Sequence, residues 1–190
     1  MKVIEQKGPY SVLGSKEVYQ NRWIRVREDN VIHPGGSEGI FGIIEMERGV
    51  AVLPATSEEE VFLIKEYKYG AEKELLGIVG GTVEGHETDL EAVKRELKEE
   101  TGLGANKWVN LGTFHAYENV INSNNLPLYL ALDLKQGESS LDENERLTVT
   151  KIPIIQAVEM VLDNSISSEL SALAILMADK YFQKAKLRFS

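Results

Sequence analysis

Three glutamates carry the strongest chemical signal in the 190-residue chain. Glu96, Glu99 and Glu100 stand at i, i+3 and i+4, so on a helix advancing about 100° per residue they share one edge. Like charges at that spacing repel by a few tenths of a kcal/mol per pair, and a structural role explains the crowding poorly. A hard divalent cation would relieve it: Mg²⁺ takes oxygen ligands at roughly 2.0–2.1 Å and usually keeps waters and substrate phosphates around it. The competing reading of the three glutamates alone is a solvated acidic helix face. Two neighbours weigh against that reading. Arg95 lies one turn before Glu99, placed to orient a carboxylate. Gly80-Gly81 precedes the helix as a loop whose backbone, bare of side chains, can approach a metal or a phosphate closely.

The elements that must hold this edge are legible around it. Thr88 followed three residues later by Glu91 is a capping box, and Gly102 is a left-handed stop, which predicts a helix over Asp89–Thr101. Leu90, Val93 and Leu97 form its apolar stripe, while Glu91, Lys94 and Lys98 face away. Upstream, from about residue 15 to 54, KEVYQ, WIRVRE, IFGIIEME and GVAVLPA alternate as strands of an antiparallel meander. The acidic run Ser57-Glu58-Glu59-Glu60 reads as the solvated tip of a hairpin joining VAVLPA to VFLIKEYKY. Downstream, strands are expected over 108–117, 127–135 and 146–153. Two helices follow, from Ile154 to Asp163 and from Ser168 to Lys184, the second with Leu170, Leu173, Met177 and Tyr181 toward the core. A boundary near Gly49 would separate an N-terminal β subdomain, 1–48, from a catalytic body, 49–190.

Composition narrows the function classes. With 43% hydrophobic and 27% charged residues the chain has ordinary globular usage. Zero cysteines exclude disulfides, thiolate metal sites and thiol nucleophiles. No apolar run approaches the roughly 20 residues of a membrane-spanning helix, and the start MKVIEQKGPYS lacks a secretory apolar stretch, so the cytoplasm is the expected compartment. A net charge of −9 disfavours DNA and RNA as partners. An anionic ligand must then bring cations with it. Neither a His-x-x-x-His pair nor a phosphate-binding P-loop is present.

The spacing Gly81-x5-Glu87-x7-Arg95-Glu96-Leu97-x-Glu99-Glu100-x-Gly102-Leu103 resembles the Nudix box at every specified position. Most of the chain, including VYQNRWIRVREDNVIHPGG, VFLIKEYKY and the C-terminal helix pair, is similar to the ADP-ribose and nucleoside-diphosphate-sugar pyrophosphatase branch. The resemblance implies a Nudix α/β/α sandwich with a mixed sheet, plus an N-terminal antiparallel β subdomain that helps form a homodimer. It implies Mg²⁺-dependent hydrolysis, with Mn²⁺ as a substitute, of a nucleoside diphosphate linked to a second moiety. Glu96 and Glu100 would be the principal metal ligands, Glu99 a further ligand or a water-orienting group, and the Gly80 carbonyl an additional ligand. Glu87 and Arg95 would brace the loop against the helix. A further acid comes from a loop before the last strand in such enzymes; Glu145 is the first choice for general base and Glu143 the second. Alternatives are another nucleoside diphosphate derivative as substrate, or a non-catalytic ligand sensor, a class that tends to lose the box carboxylates retained here.

The chain departs from the branch at three places. Relatives often read E-L-P-A-G before the box, where this chain has Gly77-Ile78-Val79-Gly80-Gly81, so an acidic side chain is missing at Gly77. A diphosphate-binding arginine is replaced by Lys68, a point charge without the bidentate fork. An acidic residue expected after FHAYENV is absent, with Glu118 as a substitute. Trp23 beside Arg22 either stacks on a base or sugar or anchors a packing or dimer contact. His115 reads as a satisfied strand residue or a substrate contact, and His86 as solvent-facing.

Overall fold

The computed structural model describes residues 2–115, 120–123, 125–137 and 146–187. Glu118, Glu143 and Glu145 lie outside the described residues. Two compact units are present: residues Met1–Gly49 with Phe114–Leu126, and residues Val50–Thr113 with Pro127–Ser190.

In the first unit, strands β1 (Glu5–Lys7), β2 (Tyr10–Gln20), β3 (Ile24–Ile32) and β4 (Glu38–Met46) form an antiparallel meander. A short strand from the middle of the chain, Ile121–Ser123, adds to β4 in parallel. The sequence gives no sign of this addition, because the pairing joins segments more than 70 residues apart. The β3–β4 turn falls on the Pro/Gly cluster, with Gly36 at φ 88°. Asp29, almost fully buried on β3, accepts hydrogen bonds from Ser15 Oγ at 2.5 Å, Lys7 Nζ at 3.1 Å and Arg27 Nε at 3.1 Å. Burial alone would raise this carboxyl, but the bonds from Ser15, Arg27 and Lys7 outweigh it and hold it below the usual carboxylate range.

The second unit begins with β5 (Gly49–Pro54) and β6 (Glu60–Lys68), then β7 (Lys73–Gly77), β8 (Val79–Thr82), α1 (Asp89–Thr101) and β9 (Leu103–Phe114). With the Ile121–Ser123 strand counted as β10, β11 (Leu126–Gln136), β12 (Leu147–Pro153), α2 (Ile154–Leu162) and α3 (Glu169–Leu187) complete the chain. One sheet runs β8-β5-β11-β9 with β5 and β11 parallel; a second, antiparallel sheet runs β12-β6-β7. The run Val50-Ala51-Val52-Leu53 is buried throughout, as expected of a parallel strand covered on both faces. Alternation along the strand sends Val50 and Val52 into the cluster that seats α1 through Ala92, Val93 and Leu97. Ala51 and Leu53 therefore point to the opposite face of the strand, where they too are buried.

Five expectations need correction. GVAVLPA, the last segment of the expected N-terminal meander, is β5, which lies in a different sheet from β4 and pairs with β8 and, in parallel, with β11. β5 and β6 do not form a hairpin: a single bridge, Ala55 to Val61, joins them before each enters a different sheet. The acidic turn between them is not merely solvated, since Glu60 pairs with Lys151 at 2.6 Å and Glu59 with Lys186 at 2.8 Å. The buried stripe of α3 is Ser171, Ala174, Ile175 and Ala178, one position on from Leu170, Leu173 and Met177, which are half-buried. Ser171, Ala174 and Ala178 are small enough for close approach and Ile175 fills the contact, while Leu170, Leu173 and Met177 flank it. Finally, Gly80 and Gly81 are not a loop but lie in strand β8.

Candidate active site

Helix α1 starts where its cap dictates. Thr88 Oγ1 accepts from the Glu91 amide at 3.3 Å, and Glu91 Oε2 accepts from the Thr88 amide at 2.8 Å. These bonds satisfy two of the amides that a helix N-terminus leaves open. At the other end Gly102, at φ 70°, donates to the Lys98 carbonyl, a conformation glycine adopts without a Cβ penalty. Both ends being fixed, the rotation of α1 is set by its buried face, and the carboxylates follow.

The glutamate edge is graded in burial. Glu100 is 7% exposed, the Glu96 side chain 13% and the Glu99 side chain 39%. Arg95 ties them together. Its Nε and Nη2 clamp Glu87 at 2.9 and 3.1 Å, Nη2 also donates to the Thr82 carbonyl at 2.8 Å, and Nη1 donates to Glu96 Oε1 at 2.8 Å and Glu99 Oε2 at 3.0 Å. These five bonds match the five N–H donors of a guanidinium. The arginine thus joins the end of β8, the turn before α1 and the carboxylate edge. Hydrogen bonding from Arg95 and then from the Glu84 amide lowers the Glu87 carboxyl below its ordinary range, and Glu87 in turn is the main cause raising the Arg95 guanidinium.

Gly81 fits against this edge because it has no side chain. A Cβ there would overlap the Glu96 carboxyl, with even the farther oxygen, Oε2, only 2.5 Å away. Gly80 presses on β5, where a Cβ would stand 2.9 Å from the Val50 carbonyl oxygen. Two adjacent glycines in an extended strand therefore serve close approach on opposite sides rather than a bend. Among the described residues, no three His, Asp or Glu side chains converge tightly enough to hold an ion as they stand; Arg95 engages one oxygen of Glu96 and one of Glu99. The donor set is nevertheless the right one for a hard divalent cation: three carboxylates on one edge, with Gly81 of β8 against Glu96.

The other residues singled out in the sequence do not share the Arg95 hydrogen bonds. Lys68 pairs with Glu66 on the exposed end of β6. It lies opposite Lys73, four residues along from Ile64, which faces Gly77, so it stands about 13 Å up the strand from that level. Arg22 and Trp23 belong to the first unit; Trp23 is 61% exposed, with the Arg22 guanidinium 4.1 Å above its ring. His86 and His115 are exposed. Two contributors have no signal in the sequence: the Thr82 carbonyl, because a backbone acceptor has no residue type, and Ser171 on α3. Ser171 Oγ accepts from the Ile78 amide at 3.2 Å, and a Cβ on Gly77 would come within 2.9 Å of it. The missing acid at Gly77 thus coincides with a close helix contact.

Comparison with known proteins agrees with this geometry. A model of the NUDIX domain matches residues 46–165, and one of the nucleoside diphosphate sugar hydrolase N-terminal domain matches residues 11–44. The chain is 24% identical over 179 residues to a methanol dehydrogenase activator of Bacillus methanolicus, covering 92% of each chain. It is 25% identical over 177 residues to an ADP-ribose pyrophosphatase of Bacillus subtilis (strain 168), covering 92% of this chain and 93% of that one. It is 26% identical over 152 residues to the ADP compounds hydrolase NudE of Escherichia coli (strain K12), covering 77% and 81%. A crystal structure of an ADP compounds hydrolase superposes with a TM-score of 0.83 at 22% identity, covering 95% of this chain and 98% of that one, a likeness of fold. With the box intact on a capped helix and the domain model spanning most of the chain, this protein belongs to the Nudix family.

Proposed function

We propose that the protein is a divalent-metal-dependent pyrophosphatase that hydrolyses ADP-ribose or a nucleoside diphosphate sugar to a nucleoside monophosphate and a sugar phosphate. The observation that carries this reading is the Arg95 fork, which holds Glu96 and Glu99 on one helix edge next to the buried Glu100 and against Gly81. The matching N-terminal domain model and the names of the relatives supply the substrate class.

Glu96 and Glu100 would hold Mg²⁺ or Mn²⁺, with Glu99 and the Gly80 carbonyl as further ligands. When bound, such an ion neutralises diphosphate charge and polarises phosphoryl oxygens. The chain's own residues supply positioning. Arg95 sets the two carboxylates and anchors them through Glu87 and Thr82 to the strand. Glu145, or failing it Glu143, takes the proton of the attacking water. No covalent nucleophile is required, because phosphoryl chemistry of this kind rests on orientation and electrostatic stabilisation. Lys68, Arg22, Trp23 and Glu118 are proposed to contact the substrate, within a homodimer in the cytoplasm. An acidic chain of net charge −9 fits a small anionic substrate that arrives with its counter-cations better than it fits a nucleic acid.

Assaying ADP-ribose, ADP-glucose, GDP-mannose, UDP-glucose and diadenosine polyphosphates for released phosphomonoesters, with and without Mg²⁺, tests the reading. Mg²⁺-dependent turnover of ADP-ribose or a nucleotide sugar above the others is the expected result. Preference for the diadenosine polyphosphates moves the substrate within the family, and tight ligand binding with no turnover under saturating metal identifies a sensor.

A further inference from the structure

We infer that Ser171, on the far helix α3, is a positioning residue for the glycine strand, paired with Gly77 through shape. The inference rests on the metal-dependent reading above for its functional consequence, and on geometry alone for the pairing. Ile78 is the single residue between β7 and β8, strands that belong to different sheets. The chain therefore changes sheet there, two residues before the Gly80 carbonyl and three before Gly81. A backbone amide at such a crossing needs an acceptor from outside the ladder it leaves, and Ser171 Oγ is that acceptor at 3.2 Å. The hydroxyl donates its own proton to Ser168 Oγ at 3.0 Å, so its orientation is fixed. Ser171 is 3% exposed.

Gly77 is what lets the hydroxyl in. A Cβ at residue 77 would stand 2.9 Å from Ser171 Oγ but 3.9 Å from Ser171 Cβ. The first distance forces the hydroxyl aside; the second is ordinary contact. An acidic side chain at Gly77 and a hydroxyl at Ser171 exclude each other in this arrangement, which gives a physical reason for the glycine. The bond fixes where β8 begins, and so where Gly80 and Gly81 lie against Val50 and Glu96.

The test uses Ser171→Ala, Gly77→Ala and the double variant in the full chain, with two readouts: hydrogen exchange at the Ile78 amide in the metal-free protein, and Mn²⁺ affinity by calorimetry. Ser171→Ala should speed Ile78 exchange about ten-fold, the loss of one hydrogen bond, and weaken Mn²⁺ binding about ten-fold, the lower end of what outer-shell changes cost. Gly77→Ala should reproduce both effects by displacing the same hydroxyl. The double variant should be no worse than Ser171→Ala, since its two Cβ atoms sit in ordinary contact. In turnover, the change should appear in the metal concentration required for half-maximal rate more than in the rate at saturating metal. Unchanged Ile78 exchange in Ser171→Ala, or additive losses in the double variant, overturns the pairing. Altered exchange with unchanged Mn²⁺ affinity overturns the positioning role. Wild-type protein without hydrolytic activity would count against the proposed reaction while leaving the exchange result to decide the pairing.

Discussion

Replacing Gly81 by alanine probes the site with one methyl group. The new Cβ would occupy the volume of the Glu96 carboxyl, whose farther oxygen is 2.5 Å away, and the carboxylate has to leave. Its bond to Arg95 Nη1, at 2.8 Å between side chains 13% and 23% exposed, is then lost. A hydrogen bond to a charged group contributes about 1.5–3 kcal/mol. At about 1.36 kcal/mol per decade, that corresponds to a fall of roughly 13- to 160-fold in kcat/KM if the misplacement is felt fully in the transition state. The buried face of α1, Ala92, Val93 and Leu97, is untouched, so helix content should persist and Tm should fall by no more than about 12 °C. The assay is Mg²⁺-dependent phosphomonoester release alongside a thermal melt. Gly70→Ala, where a Cβ meets nothing within 4 Å, is the control and should stay within about 0.5 kcal/mol of wild type. Wild-type kcat/KM in Gly81→Ala would refute the seating of Glu96 on that glycine.

Other perturbations follow from single contacts. Thr88→Ala removes one side of the capping box and should cost about 0.5–2 kcal/mol, read as a Tm lower by roughly 1–8 °C with the α1 carboxylates still in place. Arg95→Lys keeps the charge but offers three donors from one point in place of a five-donor fork; kcat/KM should drop by about 10- to 100-fold, and full activity would show that the fork is dispensable. Asp29 sets an acid limit in the first unit. Its carboxyl lies below the ordinary range when folded, so its contribution is present above the unfolded value of about 3.9 and fades as pH falls through the folded value. Asp29→Asn should therefore lower Tm at pH 7 by a gap that narrows below about pH 4. A constant gap across that range would remove the ionic explanation.

The parts of the molecule governed by neighbouring residues were legible in the sequence. Thr88, Glu91 and Gly102 fix both ends of α1, and the spacing of Leu97 against Glu96 and Glu100 fixes which side faces the core. What depended on distant partners was not. The Ala55–Val61 bridge looks like a hairpin locally, yet β5 finds β11 and β6 finds β12. Hydrophobicity ranks leucine above serine and so points to the large side chains of α3, while close packing favours Ser171 and Ala174. Gly80 and Gly81 read as a bend because glycine tolerates turns; their use here is clearance beside Val50 and Glu96. The same blindness to close approach hid the Gly77–Ser171 contact.

The most direct measurement is a crystal structure of the protein with Mg²⁺ and a non-hydrolysable ADP-ribose analogue. An ion bonded to the carboxylates of Glu96 and Glu100 and to the Gly80 carbonyl, with the diphosphate against it, is the expected result. A bound analogue with its diphosphate away from α1, and no ion at those two glutamates, would contradict it.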